Sequence, residues 1–156
     1  MNIALKRYPD RTIGGPCVGE IVAAVAIENL IDRQLCELGH IAETDVRHLT
    51  IDAIVDTGAV MSMLPEEIVE QLGLQAVDTI SVRYADERSD IRSVVGGAKL
   101  SIEGRSMITD FIVGPRHSEP LIGQIVLERL DLLADCARRT LVPHPDSPDK
   151  PTLKLK

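Results

Sequence analysis

Aromatic residues are almost missing from this chain of 156 residues, which has no tryptophan, two tyrosines (Tyr8 and Tyr84) and one phenylalanine, Phe111. A core must therefore be assembled from Val, Ile, Leu and Ala, and the β-branched members of that set favour strands. No basic stretch interleaved with aromatics occurs, and the net charge is −7. Both features argue against a nucleic-acid partner, and the charge argues against an anionic membrane surface. Long apolar runs are also missing: none approaches the about 20 residues that span a bilayer, so no membrane insertion is expected. Cys17, Cys36 and Cys136 are odd in number and lack metal-ligand spacing. With no signal peptide they read as reduced thiols of a cytoplasmic protein. His40, His48, His117 and His144 are scattered, which suits solvated or locally bonded histidines better than a zinc site. No internal repeat is evident.

What is present is a globular composition, 44% hydrophobic and 26% charged, in a chain of one-domain size. Residues 1–16 have no clear periodicity and read as a leader. Residues 18–27 are apolar and β-branched, a buried strand, with helix the rival reading for their Ala-rich part. Residues 29–43 form a polar connection with room for one helical turn before Gly39. Residues 45–55 are the next strand. Pro65, Glu66 and Glu67 open a short helix, with Ile68, Val69 and Leu72 as its buried stripe and Gly73 as its stop. Residues 79–85 and 91–95 flank a polar tip and predict a β-hairpin; residues 99–102 and 106–113 predict another around Gly104. Leu121, Ile122 and Gly123 precede a short helix over 124–130, and residues 132–135 and 139–142 look like two further strands. Four prolines between 143 and 151 exclude regular structure there, so residues 143–156 read as a Pro-rich tail, a loose end or an arm.

One stretch stands out. Ile51-Asp52-Ala53-Ile54-Val55 climbs as an apolar strand and stops at Asp56-Thr57-Gly58-Ala59. The strand delivers a carboxylate at its mouth, Thr57 offers a hydroxyl, and Gly58 permits close approach to the backbone. A plain strand-ending turn, with the aspartate accepting backbone N–H bonds, is the structural alternative. Asp52 shares a strand face with Asp56 but lies roughly 13 Å from it at about 3.3 Å per residue. That is too far to share a proton or a water. Glu66 and Glu67 suit a helix start better than acid catalysis.

Asp56-Thr57-Gly58-Ala59 after an apolar strand resembles the active-site signature of the aspartic proteases. A single copy in a short chain is similar to the retropepsin-like branch, in which two subunits each supply one aspartate. Leu121-Ile122-Gly123 followed by a short helix resembles the family's second fixed feature, an apolar strand threading beside the active-site loop. The resemblance runs over about residues 45–142. It implies a mostly β, single-domain, closed β-barrel-like fold with one or two short helices, forming a two-fold dimer, with the protease domain over residues 17–142.

The resemblance further implies an aspartic endopeptidase that hydrolyses peptide bonds of a peptide or protein substrate. Asp56, Thr57 and Gly58 would be the catalytic set, with a water activated between two Asp56 carboxylates of a homodimer. Like charges that close cannot both ionise cheaply, so such a pair keeps one proton. Thr57 would lock the two loops together across the axis. Ala59, Leu121, Ile122 and Gly123 would line the site, and the hairpin tip at Tyr84, Ala85 and Asp86 would be the flap over substrate. No metal or organic cofactor is implied. Two departures qualify the likeness. The tip lacks the glycines of viral members, leaving an ordinary surface hairpin as the alternative. Val60 and Gln124 stand where viral members place an aspartate and its arginine partner, which points to a cellular, non-viral relative. A non-catalytic binding or assembly module with the same fold is the competing function.

Overall fold

The computed structural model describes residues 19–155; the leader expected over residues 1–16 lies outside them. Six strands close into a barrel. They are β1 (Val22–Asn29), β2 (His48–Val55), β3 (Met63–Pro65), β5 (Ser89–Ile102), β6 (Arg105–Gly114) and β7 (Leu121–Ile122). Neighbours run β1-β2-β7-β3-β6-β5, and a second pairing, β1 with β5, closes the ring. β4 (Gln75–Arg83) stands outside the ring, paired with the first half of β5.

β5 makes this possible by changing partners partway along. Its residues 89–96 pair with β4, whereas residues 98–101 pair with β1. The handover falls at Gly96 and Gly97, where the register with β6 also shifts. Gly97 sits at φ +73°, a left-handed conformation that side chains resist. These two glycines interrupt the apolar pattern, which predicted separate strands over 91–95 and 99–102. The backbone in fact runs on as one strand of 14 residues.

The core fills the barrel with the aliphatic side chains that the composition demands. Val25, Ile27, Ile51, Ala53, Leu64, Leu100 and Ile122 are all at most 1% exposed, and Phe111, the one phenylalanine, is fully buried among them. Burying side chains of this size contributes roughly 1.5–3 kcal/mol each. Three short α-helices cover the barrel rather than one or two: α1 (Leu30–Glu37), α2 (Glu66–Leu72) and α3 (Gln124–Leu130). α2 opens directly after Pro65 and stops at Gly73, φ +63°. β8 (Leu132–Asp135) and β9 (Thr140–Pro143) form a separate antiparallel pair.

A polar knot secures the end of the barrel where β1 leaves and β2 enters. Asn29, 3% exposed, caps α1 by accepting the Asp32 amide at 3.1 Å and donates to the Leu72 carbonyl at 2.8 Å. Asp32 is buried and receives Arg47 three times, from its amide at 3.0 Å, its Nε at 2.7 Å and its Nη2 at 2.9 Å. The Arg47 guanidinium lies over Gly73, where an added Cβ would come within 1.7 Å of it.

The Arg47 side-chain bonds hold the Asp32 carboxyl below its ordinary value of 3.8, against the opposing effect of burial. A carboxyl depressed in the folded state stabilises above the unfolded value, and that stability is lost as pH falls through the folded value. Stability measured by thermal melting should therefore drop as pH descends below about 4. Asp32→Asn should be less stable at neutral pH and show a shallower decline in that acid window. An unchanged acid slope would mean that the Asp32–Arg47 pair is not part of it.

Candidate active site

β2 ends at Val55, and residues 56–62 fold back across β7 and the first turn of α3. The Asp56 amide donates to the Ile122 carbonyl at 2.9 Å, and the Ile54 amide donates to Pro120 at 2.9 Å. Ile54 and Val55 lie beside Leu121 and Ile122 in parallel register. Further along the loop, Ala59 accepts the Gln124 amide at 2.7 Å and Val60 accepts the Ile125 amide at 3.2 Å. The start of α3 therefore donates its otherwise unpaired N–H groups to the loop instead of to a side-chain cap.

Gly123 sits at the crossing. A Cβ there would meet the Met61 carbonyl at 2.7 Å and the Ala59 oxygen at 2.9 Å, contacts no side chain tolerates. Its φ of −93° is open to any residue, so closeness alone requires glycine. Its amide donates to the hydroxyl of Ser62 at 2.9 Å, and Ser62 is 3% exposed. The Ser62 carbonyl in turn accepts the Ile112 amide of β6 at 3.0 Å. Ser62 thus pins the loop to the barrel on both sides. Sequence reading passed over it, although a small polar residue inside the apolar run from Val60 to Leu64 was the available signal.

Within the loop, the Gly58 amide donates to Asp56 Oδ1 at 2.9 Å, and the Ala59 amide donates to the Asp56 carbonyl at 3.2 Å. The turn so formed leaves Asp56 half-buried and Thr57 and Gly58 exposed. Asp56 Oδ2 makes no hydrogen bond among the described residues. A Cβ on Gly58 would lie 3.3 Å from Oδ1, close enough to disturb the carboxylate. Asp56, Thr57, Gly58, Ala59, Leu121, Ile122 and Gly123 are thus brought together by backbone hydrogen bonding. A family model described as aspartyl protease matches residues 42–126, more than half of the chain.

The chain belongs to the aspartyl protease family.

No curated protein matches it. The matched segment of this family member spans both halves of the crossing, from β2 through the first residues of α3.

Tyr84, Ala85 and Asp86 occupy the tip between β4 and β5, as a hairpin requires. The turn is closed by the Tyr84 amide donating to Arg88 at 2.8 Å. Arg88 lies over the Tyr84 ring at 5.9 Å and bonds Asp86 at 2.6 Å; Arg92 reaches the Tyr84 hydroxyl at 3.3 Å. The tip lines a hollow of about 390 Å³ together with Asp90 and Pro115, and no hydrogen bond among the described residues joins it to Asp56–Ala59. Among the described residues, no three His, Cys, Asp or Glu side chains converge on a metal position. No helix there is long and apolar enough to cross a membrane.

Removing the Ser62 hydroxyl leaves a buried amide unpaired, which costs about 1–3 kcal/mol. Ser62→Ala should therefore lower the midpoint of denaturant unfolding by that amount, and Ser62→Thr should restore part of it. An unchanged midpoint in Ser62→Ala would show that the Gly123 amide has another partner.

Proposed function

We propose that this member of the family is a retropepsin-like aspartic endopeptidase that acts as a homodimer, each copy supplying one Asp56. The observation that carries this reading is the loop itself. A carboxylate at the mouth of a buried strand is held by one oxygen to the Gly58 amide, while its other oxygen is free of bonds among the described residues. Such a group is oriented but still available to bind a water. The chain carries the signature once, and Asp52 lies on the strand two turns of the pleat away, so the second carboxylate comes from a second copy.

Two Asp56 carboxylates facing across a two-fold axis share one proton, because two adjacent negative charges are costly. The ionised member takes a proton from a water held between them. That water attacks the scissile carbonyl, and the protonated member donates to the carbonyl oxygen. In the resulting diol the leaving nitrogen takes the proton that the first carboxylate received from water. A diol hydroxyl gives its proton to the second carboxylate as its C=O re-forms, and the C–N bond breaks, which restores the singly protonated pair. Exposed Thr57 locks the two loops together across the axis, and half-buried Ala59 and Leu121 border the substrate backbone, with buried Ile122 and Gly123 behind them. The hairpin tip at Tyr84, Ala85 and Asp86 serves as the cover. The substrate is a peptide or protein, no cofactor enters the chemistry, and neither nucleic acid nor membrane insertion is involved. Free thiols at Cys36 and Cys136 suit a reducing, cytoplasmic setting. Val60 and Gln124 favour a cellular over a viral relative.

A non-catalytic binding module draws on one observation: the braced tip, in which Arg88, Arg92 and Asp86 hold Tyr84 where a mobile flap would need freedom.

Asp56→Asn should abolish cleavage of a peptide library assayed at several pH values, while circular dichroism and sedimentation remain those of the native chain. Native activity per chain should fall on dilution as copies separate. Undiminished cleavage by the mutant, or full activity from a sedimenting monomer, contradicts the reading. An inactive native chain at every pH favours the binding module.

A further inference from the structure

The tail after β9 is not a loose end. Arg105, only 5% exposed at the start of β6, donates to the Leu130 carbonyl at 3.0 Å, to the Asp131 carbonyl at 2.9 Å and to the Ser147 carbonyl. Ser147 is 6% exposed, and its hydroxyl donates to the Asp131 carboxylate. The same Asp131 Oδ2 accepts the Thr152 amide at 3.1 Å, and the Asp131 carbonyl accepts the His144 amide at 3.1 Å. Residues 144–152 are thus strapped to one residue, the one that ends α3.

Asp131 has φ +54°, a left-handed conformation that a non-glycine residue adopts only at an energetic cost. Glycine would remove that cost but would also remove the carboxylate to which the strap is tied. The Ser147 hydroxyl, and after it the Thr152 amide, hold this carboxyl below its ordinary value. Arg105 and His144 are the charged and titratable groups that face it.

α3 has seven residues, and its two ends do different work. Its first turn supplies the Gln124 and Ile125 amides to Ala59 and Val60. Its last turn is fixed by Arg105, Asp131 and Ser147. Between them Val126, Leu127 and Leu130 pack on the barrel. Apolar packing sets the distance of a helix from a core but is not directional, whereas hydrogen bonds fix its position along its own axis. Thr57 lies on an exposed side of the loop. A hollow of about 350 Å³ separates it from Leu132, Leu133 and Ala134.

We infer that Asp131, Ser147 and Arg105 are positioning residues for the Asp56 loop, acting through α3, with residues 144–152 as the brace that holds the helix in register. The inference rests on the proposed role of Asp56 for its effect on catalysis, but its structural half is independent of activity.

The test uses the full-length chain with Ser147→Ala and, separately, Asp131→Asn. Amide hydrogen exchange is the first readout. The brace predicts exchange faster by about five-fold or more at Asp56, Gly58, Ala59, Gln124 and Ile125, with amides of β1 and β5 unchanged. Ser147→Thr, which keeps the hydroxyl, should restore slow exchange. In an active enzyme kcat should fall on the order of ten-fold with KM little altered, short of the roughly 100-fold that an ångström of misplacement costs. Unchanged exchange in the loop overturns the inference. So does a uniform rise that includes β1 and β5, because it signals general destabilisation, and so does an unaltered kcat. If the native chain cleaves nothing, the functional proposal fails while exchange still decides the brace.

Discussion

The backbone ladder between the Asp56 loop and the β7–α3 junction is the constraint on which the rest of the structure depends. It joins Asp56 to Ile122, Ala59 to Gln124 and Val60 to Ile125, and it needs two segments more than sixty residues apart to lie against each other. Backbone can approach backbone that closely only where a side chain is missing, and Gly123 provides the gap. The closed barrel is the device that brings the segments there. β7 is only two residues long, yet it bridges β2 on one side and β3 on the other, so its position is fixed from both flanks. Few side chains participate, and Ser62 is the one whose hydroxyl closes the crossing.

That geometry explains what could be read from the residues and what could not. The strand into Asp56 and the turn after it are local, carried by β-branched alternation and by a glycine at the right offset. The helix stops at Gly73 and the hairpin around Gly104 are local in the same sense. Leu121-Ile122-Gly123 carried no meaning by itself, because its role is a contact with a distant loop; only the resemblance to a known pattern gave it one. Ser62 shows in the sequence only as a polar residue inside an apolar run; its role is hidden for the same reason, since a serine becomes a clasp only when Gly123 arrives beside it. β5 was divided in the reading because Gly96 and Gly97 look like a break, whereas they are where one edge passes from β4 to β1.

The tail shows the opposite error. Its prolines exclude helix and sheet, and the chain there has neither beyond Pro143. Irregular structure is not loose structure, however. A segment without a ladder must satisfy its polar groups with side chains or water, and here Arg105 and Asp131 take that role. The sequence marks Asp131 as the residue that interrupts the helix stripe. It does not disclose that the interruption is also the anchor, because Ser147 and Thr152 reach it from far along the chain.

Besides Ser62 at the crossing itself, the buried polar side chains among the described residues lie at two places, and both secure an end of an element adjoining the loop. Asn29 and Asp32 with Arg47 hold the entry of β2, and Arg105 with Asp131 and Ser147 holds the exit of α3. The Asp56 loop lies between these fixed points, at the exit of the first element and the entry of the second. These two sets of directional bonds lie away from Asp56, where they can restrict motion without occupying its carboxylate. Asp56 itself keeps one bonded oxygen and, among the described residues, one open, as the proposed proton exchange would require. Val60, 68% exposed immediately after the signature, adds an apolar surface to the same face. In the proposed homodimer two copies of net charge −7 would repel each other, and uncharged contacts near the axis would oppose that repulsion. Uncharged Val60 and Gln124 would then suit that proposed association, which would rest on apolar and backbone contacts beside the loop.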